Sequence, residues 1–107
     1  MKRYATELES LKERIKHRVV FDRTAILLVY KDDRVYAIND RCPHMGASLL
    51  KGEIENNTIV CPKHKARIDF TSGKVIDPAK LLFFKFPTKD THSYPTEIKD
   101  GKVYVEL

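Results

Sequence analysis

Long apolar runs are missing from this chain of 107 residues. The longest, AILLVY at residues 25–30, is far too short to cross a bilayer, and the N-terminal MKRYATELES holds no apolar segment of signal-peptide length. The expectation is a soluble, cytoplasmic protein with no membrane partner. Internal repeats, low-complexity tracts and Pro- or Gly-rich linkers are also absent, so residues 1–107 are expected to form one domain. No serine–histidine–acid set, paired carboxylates or phosphate loop is present, and so short a chain leaves little room for a substrate pocket. An enzyme is therefore not expected. Cysteine is scarce: Cys42 and Cys61 are the only two.

What is present describes a well-solvated folded domain. Hydrophobic residues make up 42% of the chain, with five Phe and five Tyr, which excludes a disordered tail. The formal net charge is +5, yet bases are mixed with acids in LESLKERIKHR and no nucleic-acid-binding module accompanies them. No nucleic-acid partner is expected.

The local patterns are mostly those of strands. HRVVF (17–21), AILLVY (25–30) and RVYAIN (34–39) are rich in Val, Ile and Tyr, and KDDR between the last two marks a turn. NTIVC (57–61) and RIDF (67–70) flank a loop, and TSGK (71–74) turns the chain into VID. TEIK and KVYVEL surround Asp100-Gly101, a strong type I′ hairpin signal. The one helical candidate is TELESLKERIK (6–16), where Leu8, Leu11 and Ile15 fall at helical spacing. An all-β fold follows, with the cysteine-bearing loops set between strands of one framework.

Each cysteine precedes a histidine. Cys42 and His44 are one residue apart, Cys61 and His64 two, and sixteen residues separate His44 from Cys61, so two loops each offer one thiolate and one imidazole. A disulfide is disfavoured where thiols stay reduced, which leaves metal. A tetrahedral zinc accepts the same four groups, although structural zinc sites usually pair cysteines within one turn. A binuclear iron–sulfur cluster suits the two equal jaws better, both cysteines on one iron and both histidines on the other. Pro43 and Pro62 fix the turns after the cysteines, and Gly46 permits a tight bend. His17 and His92 have no cysteine beside them and read as ordinary surface or strand residues.

CPHMGASL, then CPKH sixteen residues past the first histidine, then ARIDFTSG, resemble the two cluster-binding boxes of the Rieske [2Fe–2S] ferredoxins. The resemblance runs from VYAINDRCPH to the closing DGKVYV. It implies a β-sandwich or incomplete-barrel base (1–40 and 80–107) with a small β cluster-binding subdomain inserted at about 41–79. It implies one [2Fe–2S] cluster per chain, held by Cys42, His44, Cys61 and His64, and the role of a monomeric electron carrier between a flavin reductase and an oxygenase-type enzyme. Two neutral imidazoles in place of two thiolates leave the oxidised cluster formally neutral, which eases reduction and places such sites at roughly −150 to +300 mV. High-potential relatives carry a disulfide and two hydroxyls around the cluster. Ala47, Lys63, Ala66 and Ile68 stand at those positions, so the expected potential lies at the low end. The ligating imidazoles should also release a proton more readily when the cluster is oxidised, so the potential is expected to fall as pH rises.

Two departures from the family pattern stand out. Lys65 replaces the usual glycine after the second-box histidine, at a cost on the order of 1 kcal/mol if φ is positive there. Arg41, Lys51, Lys63, Lys65 and Arg67 would then form a cationic collar for an acidic redox partner, or else be scattered solvated charges. Met45 at the first box is an apolar contact of the tip or packs beneath it. The segment 80–98, KLLFFKFPTKDTHSYPTEI, is longer than the family return, and its apolar run reads as a core strand. Two other functions fit the chain: a non-catalytic subunit of a larger reductase, such as the small subunit of nitrite reductase, and a zinc-stabilised binding module.

Overall fold

The computed structural model describes residues 1–41, 48–62, 65–77, 80–81, 84–85 and 90–107. The chain opens with a strand, β1 (Lys2–Glu7), before a short helix, α1 (Leu8–Arg14). The helix expected over 6–16 is thus shorter at both ends, because Lys2–Glu7 pairs with the C-terminal strand, Tyr4 opposite Tyr104, and strand pairing claims Thr6 and Glu7. Leu11 is fully buried, as the helical spacing predicts, whereas Ile15 is exposed. Ile15 stops the helix at φ 70°, an uncommon value for a β-branched residue. The break is held from outside: the Ile15 carbonyl accepts the Tyr30 N–H at 2.8 Å.

The expected meander follows as β2 (Lys16–Phe21), β3 (Thr24–Lys31) and β4 (Arg34–Asn39). Asp32 and Asp33 both take positive φ, 51° and 63°, giving the mirror-image turn that suits the twist of a two-residue hairpin. β3 explains the unbroken run AILLVY. Ile26 and Leu28 belong to one hydrophobic cluster with Leu11, Val103 and Val105, while Leu27 and Val29 belong to a second with Leu49, Ile59, Ile68 and Phe70. A strand covered on both faces needs apolar residues at every position, not every second one.

A four-stranded sheet covers the second of those faces: β5 (Glu53–Glu55), β6 (Thr58–Val60), β7 (Arg67–Asp69) and β8 (Val75–Asp77), each antiparallel to the next. β9 (Lys80–Leu81) and β10 (Phe84–Lys85) pair with each other as a two-stranded hairpin. The side chains of LLFFKF lie outside the described residues, so their expected core role is not placed here. β11 (Ser93–Tyr94) then joins the edge of β4, and β12 (Thr96–Lys99) and β13 (Lys102–Glu106) close a three-stranded sheet with β1. Asp100 and Gly101 have φ of 53° and 74°, the type I′ turn that Asp-Gly predicts.

Three of the four sheets stack as layers, β1–β13–β12 with α1, the central β11–β4–β3–β2, and β5–β8, beside the β9–β10 hairpin. No sheet among them closes into a barrel. The far end of the long 80–98 segment is tied to the β7–β8 turn, where the Thr91 N–H donates to Gly73 O at 2.7 Å and the Val75 N–H to Asp90 Oδ1 at 2.8 Å. Gly73 has φ +83°, and a Cβ there would stand 2.2 Å from Thr91 O. Part of that segment's length thus serves to carry the chain from the outer sheet back to the central one.

Candidate metal centre

Of the four expected ligands, Cys61 lies among the described residues; Cys42, His44 and His64 lie outside them, as do Pro43, Met45, Gly46, Ala47 and Lys63. Cys61 directly follows β6, at the end of the outer sheet, and its thiol is free and buried. Its backbone forms a closed turn: the Cys61 N–H donates to Ala66 O at 2.7 Å, and the Lys65 N–H donates to Cys61 O at 3.2 Å. Ala66 is fully buried, so the returning strand is anchored at its first residue. Lys65 has φ 62°, the left-handed conformation that favours glycine. The expectation for that position holds.

The two chain segments that flank residues 42–47 are joined by one side chain. Asp40 ends β4 with its carboxylate fully buried. Its Oδ2 accepts Arg18 Nε–H and the Ser48 hydroxyl, each at 2.7 Å, and its Oδ1 accepts the Leu49 N–H, also at 2.7 Å. Three donors satisfy a carboxylate that would otherwise be costly to bury. Its own N–H donates to Ala25 O at 2.8 Å, so β3, β4, the Arg18 strand and residues 48–49 meet at one point.

Gly52 brings the turn that follows the first box close to β6. Its N–H donates to Leu49 O at 2.9 Å, and a Cβ on it would stand 2.4 Å from Val60 O, one residue before Cys61. Glycine is required by this approach of backbone to backbone. The Lys16 ammonium donates to Gly52 O, holding the same turn to β2, and partial burial pushes the Lys16 pKa down while Glu53 opposes the shift. Asp40 and Gly52 are the two positioning residues that the sequence reading missed. An acid two residues before Cys42, and a glycine in LLKGE nine residues before Cys61, were the available signals.

The other two histidines sit where ordinary packing places them. His17 is half-buried on β2, and burial first, then the nearby Arg14 charge, push its pKa down. His92 is exposed, its ring edge-on to Tyr94 at 4.5 Å. The expected cationic collar is corrected at one position: Arg67 pairs with Glu55 and donates to the Thr58 hydroxyl, so its charge is spent within the outer sheet. Arg41, Lys51 and Lys65 are exposed and have no ion-pair partner among the described residues.

Residues 3–87 match the Rieske [2Fe-2S] domain family. This chain belongs to that family. Among its relatives, the 3-phenylpropionate/cinnamic acid dioxygenase ferredoxin subunit of Photorhabdus laumondii is 34% identical over 88 residues, which cover 77% of this chain and 72% of that protein. The ferredoxin of carbazole 1,9a-dioxygenase from Nocardioides aromaticivorans IC177 has a similar structure, with a TM-score of 0.82 at 23% identity over 98% of this chain and 96% of that one. A chain in the complex of reduced oxygenase and oxidized ferredoxin in carbazole 1,9a-dioxygenase gives a TM-score of 0.81 at 23% identity, over 97% and 91%. The Rieske domain carries a [2Fe–2S] cluster. The described part of the site fits that group: a free, buried thiol at a closed turn, with the two flanks of residues 42–47 joined at Asp40.

Proposed function

We propose that this chain is a one-electron carrier of a dioxygenase-type system, receiving electrons from a reductase in the cytoplasm and delivering them to an oxygenase. The observation that carries the reading is the match to the Rieske family together with the kinship to a dioxygenase ferredoxin subunit. In this reading Cys42, His44, Cys61 and His64 hold the cluster, and the chain has no catalytic residues of its own. Bound there, the cluster supplies a site that gains and loses one electron. The protein's part is to hold the ligands. Cys61 is fixed by the turn hydrogen bonds to Ala66 and Lys65, and the flanks of the Cys42–His44 box are fixed by Asp40. Leu49, Ile59 and Ala66 are buried in one hydrophobic cluster with Cys61, which anchors the described flanks of both boxes in the core. A second-box position at Ala66, with no hydroxyl to donate, supports a potential at the low end of the family range.

The test is purification in air, followed by visible absorption, iron and acid-labile sulfide analysis, and electron paramagnetic resonance after dithionite reduction. A red-brown protein with two irons and two sulfides per chain is expected, and colourless protein holding one zinc would overturn the reading. His44→Ala or His64→Ala should abolish the cluster, while His17→Ala and His92→Ala should leave it intact.

A further inference from the structure

Charges on this molecule are not distributed evenly between paired and unpaired. In the β1–β12–β13 layer and α1, four cations face acids, Lys2 with Glu97, Arg3 with Asp22, Lys12 with Glu9 and Lys102 with Glu7, while Arg14 and Lys99 have no ion-pair partner among the described residues. Beside the ligand-bearing segments the arrangement is different. A cavity of about 500 Å³ borders the first box, lined by Arg18, Arg23 and Arg41 together with Asn39, Asp40 and Ser48. Its single acid is Asp40, and that carboxylate is already filled by three donors. Arg23 and Arg41 are exposed and without an ion-pair partner among the described residues.

A second cleft, of about 130 Å³, borders Cys61 and Pro62 and is lined by Lys51 and Lys65, with Glu53 as its acid. Lys65 occupies this cleft at φ 62°, where a glycine would be less strained. The Lys65 cation thus lines the same cleft as Cys61, a proposed ligand.

We infer that these two clefts, one beside each ligand loop, form a docking surface for the carboxylates of an acidic redox protein, with Arg23, Arg41, Lys51 and Lys65 as its cations. The inference rests on the electron-carrier reading and adds the chemistry of the partner. Unpaired cations beside the two ligand loops raise the encounter rate with an acidic surface and orient it there. Arg18 is held by Asp40 and contributes field more than contact.

The test compares two sets of substitutions with equal change in net charge. Lys51→Glu with Lys65→Glu reverses the charge of the second cleft's two cations. Arg34→Glu with Lys99→Glu alters exposed cations elsewhere, Arg34 at the opposite end of β4 from Arg41 and Lys99 in β12. Binding of a fluorescein-labelled hexaglutamate peptide is read by anisotropy at low salt, with circular dichroism confirming that each variant is folded. The cleft pair and Arg23→Glu should each weaken binding, the cleft pair by about tenfold, while the distant pair changes it by less than about twofold. Equal losses in both pairs, or no binding by the unaltered protein, overturn the inference. Oxidation of the reduced, loaded protein by ferricyanide should follow the same order. A preparation lacking iron and sulfide would sink the electron-carrier reading, yet the peptide measurement would still decide the docking surface.

Discussion

Two residues at the site carry opposite lessons about local cost. Lys65 sits in a left-handed conformation that costs a side-chain-bearing residue about 1 kcal/mol relative to glycine. Lys65→Gly should raise unfolding stability by up to that amount in urea titrations while weakening hexaglutamate binding. A variant that is less stable would show that the lysine side chain packs favourably. Asp40 is the reverse case, a buried acid whose removal strands the Leu49 N–H and frees Arg18 and Ser48. Arg18 is 44% exposed, so most of the cost falls on the buried donor, and Asp40→Ala should destabilise by about 2–3 kcal/mol. Iron content of the purified protein should fall with it, and Asn in place of Ala should recover part of both losses.

At the scale of elements, the site depends on how tightly the 49–52 turn lies against β6. Gly52→Ala places a methyl at 2.4 Å from the Val60 carbonyl, a backbone atom that cannot rotate away. The turn must shift, at a cost of about 1–3 kcal/mol by analogy with overpacked cores. Chemical denaturation measures the stability loss, and the visible spectrum should change with it because Val60 adjoins Cys61. Gly101→Ala is the control, since nothing lies within 4 Å of a Cβ there, although its φ of +74° still carries a conformational cost. The hairpin turns at 32–33 and 100–101 were readable from residue type alone, because type I′ geometry needs residues that tolerate positive φ. β1 was not readable: KRYATE has no clear alternation, and only its partner β13 makes it a strand.

For the molecule as a whole, stability should depend on pH through His17. Burial, reinforced by the Arg14 charge, lowers its folded pKa below the ordinary 6.5. The unfolded chain therefore binds more protons between those two values, and stability falls as pH drops below about 6.5, levelling off once the folded imidazole is also protonated. Urea midpoints measured from about pH 8 to pH 5 should show this decline. His17→Gln should flatten the part of it that His17 contributes, and an unchanged profile would assign the decline to other groups. Among the described residues, no helix is long and apolar enough to cross a membrane.

The class of fold was legible in the sequence, and so was a candidate donor set. Two cysteine–histidine pairs at short spacing mark four candidate donors, and β-branched runs broken by Asp-Asp and Asp-Gly mark hairpins, because both are properties of short stretches. The tertiary structure decided what required distant residues to meet. AILLVY could have been a strand buried on one face or two, and only the β5–β8 layer packed over Leu27 and Val29 settles it. Asp40 became a clamp because Arg18, Ser48 and Leu49 converge on it from separate segments. Arg67 left the expected collar because strand register places Glu55 within its reach, while Arg23 joined it through a cavity formed by folding. Net charge is a sum over residues, but which charges stay free for a partner depends on which ones find counterions, and that is a matter of three-dimensional distance.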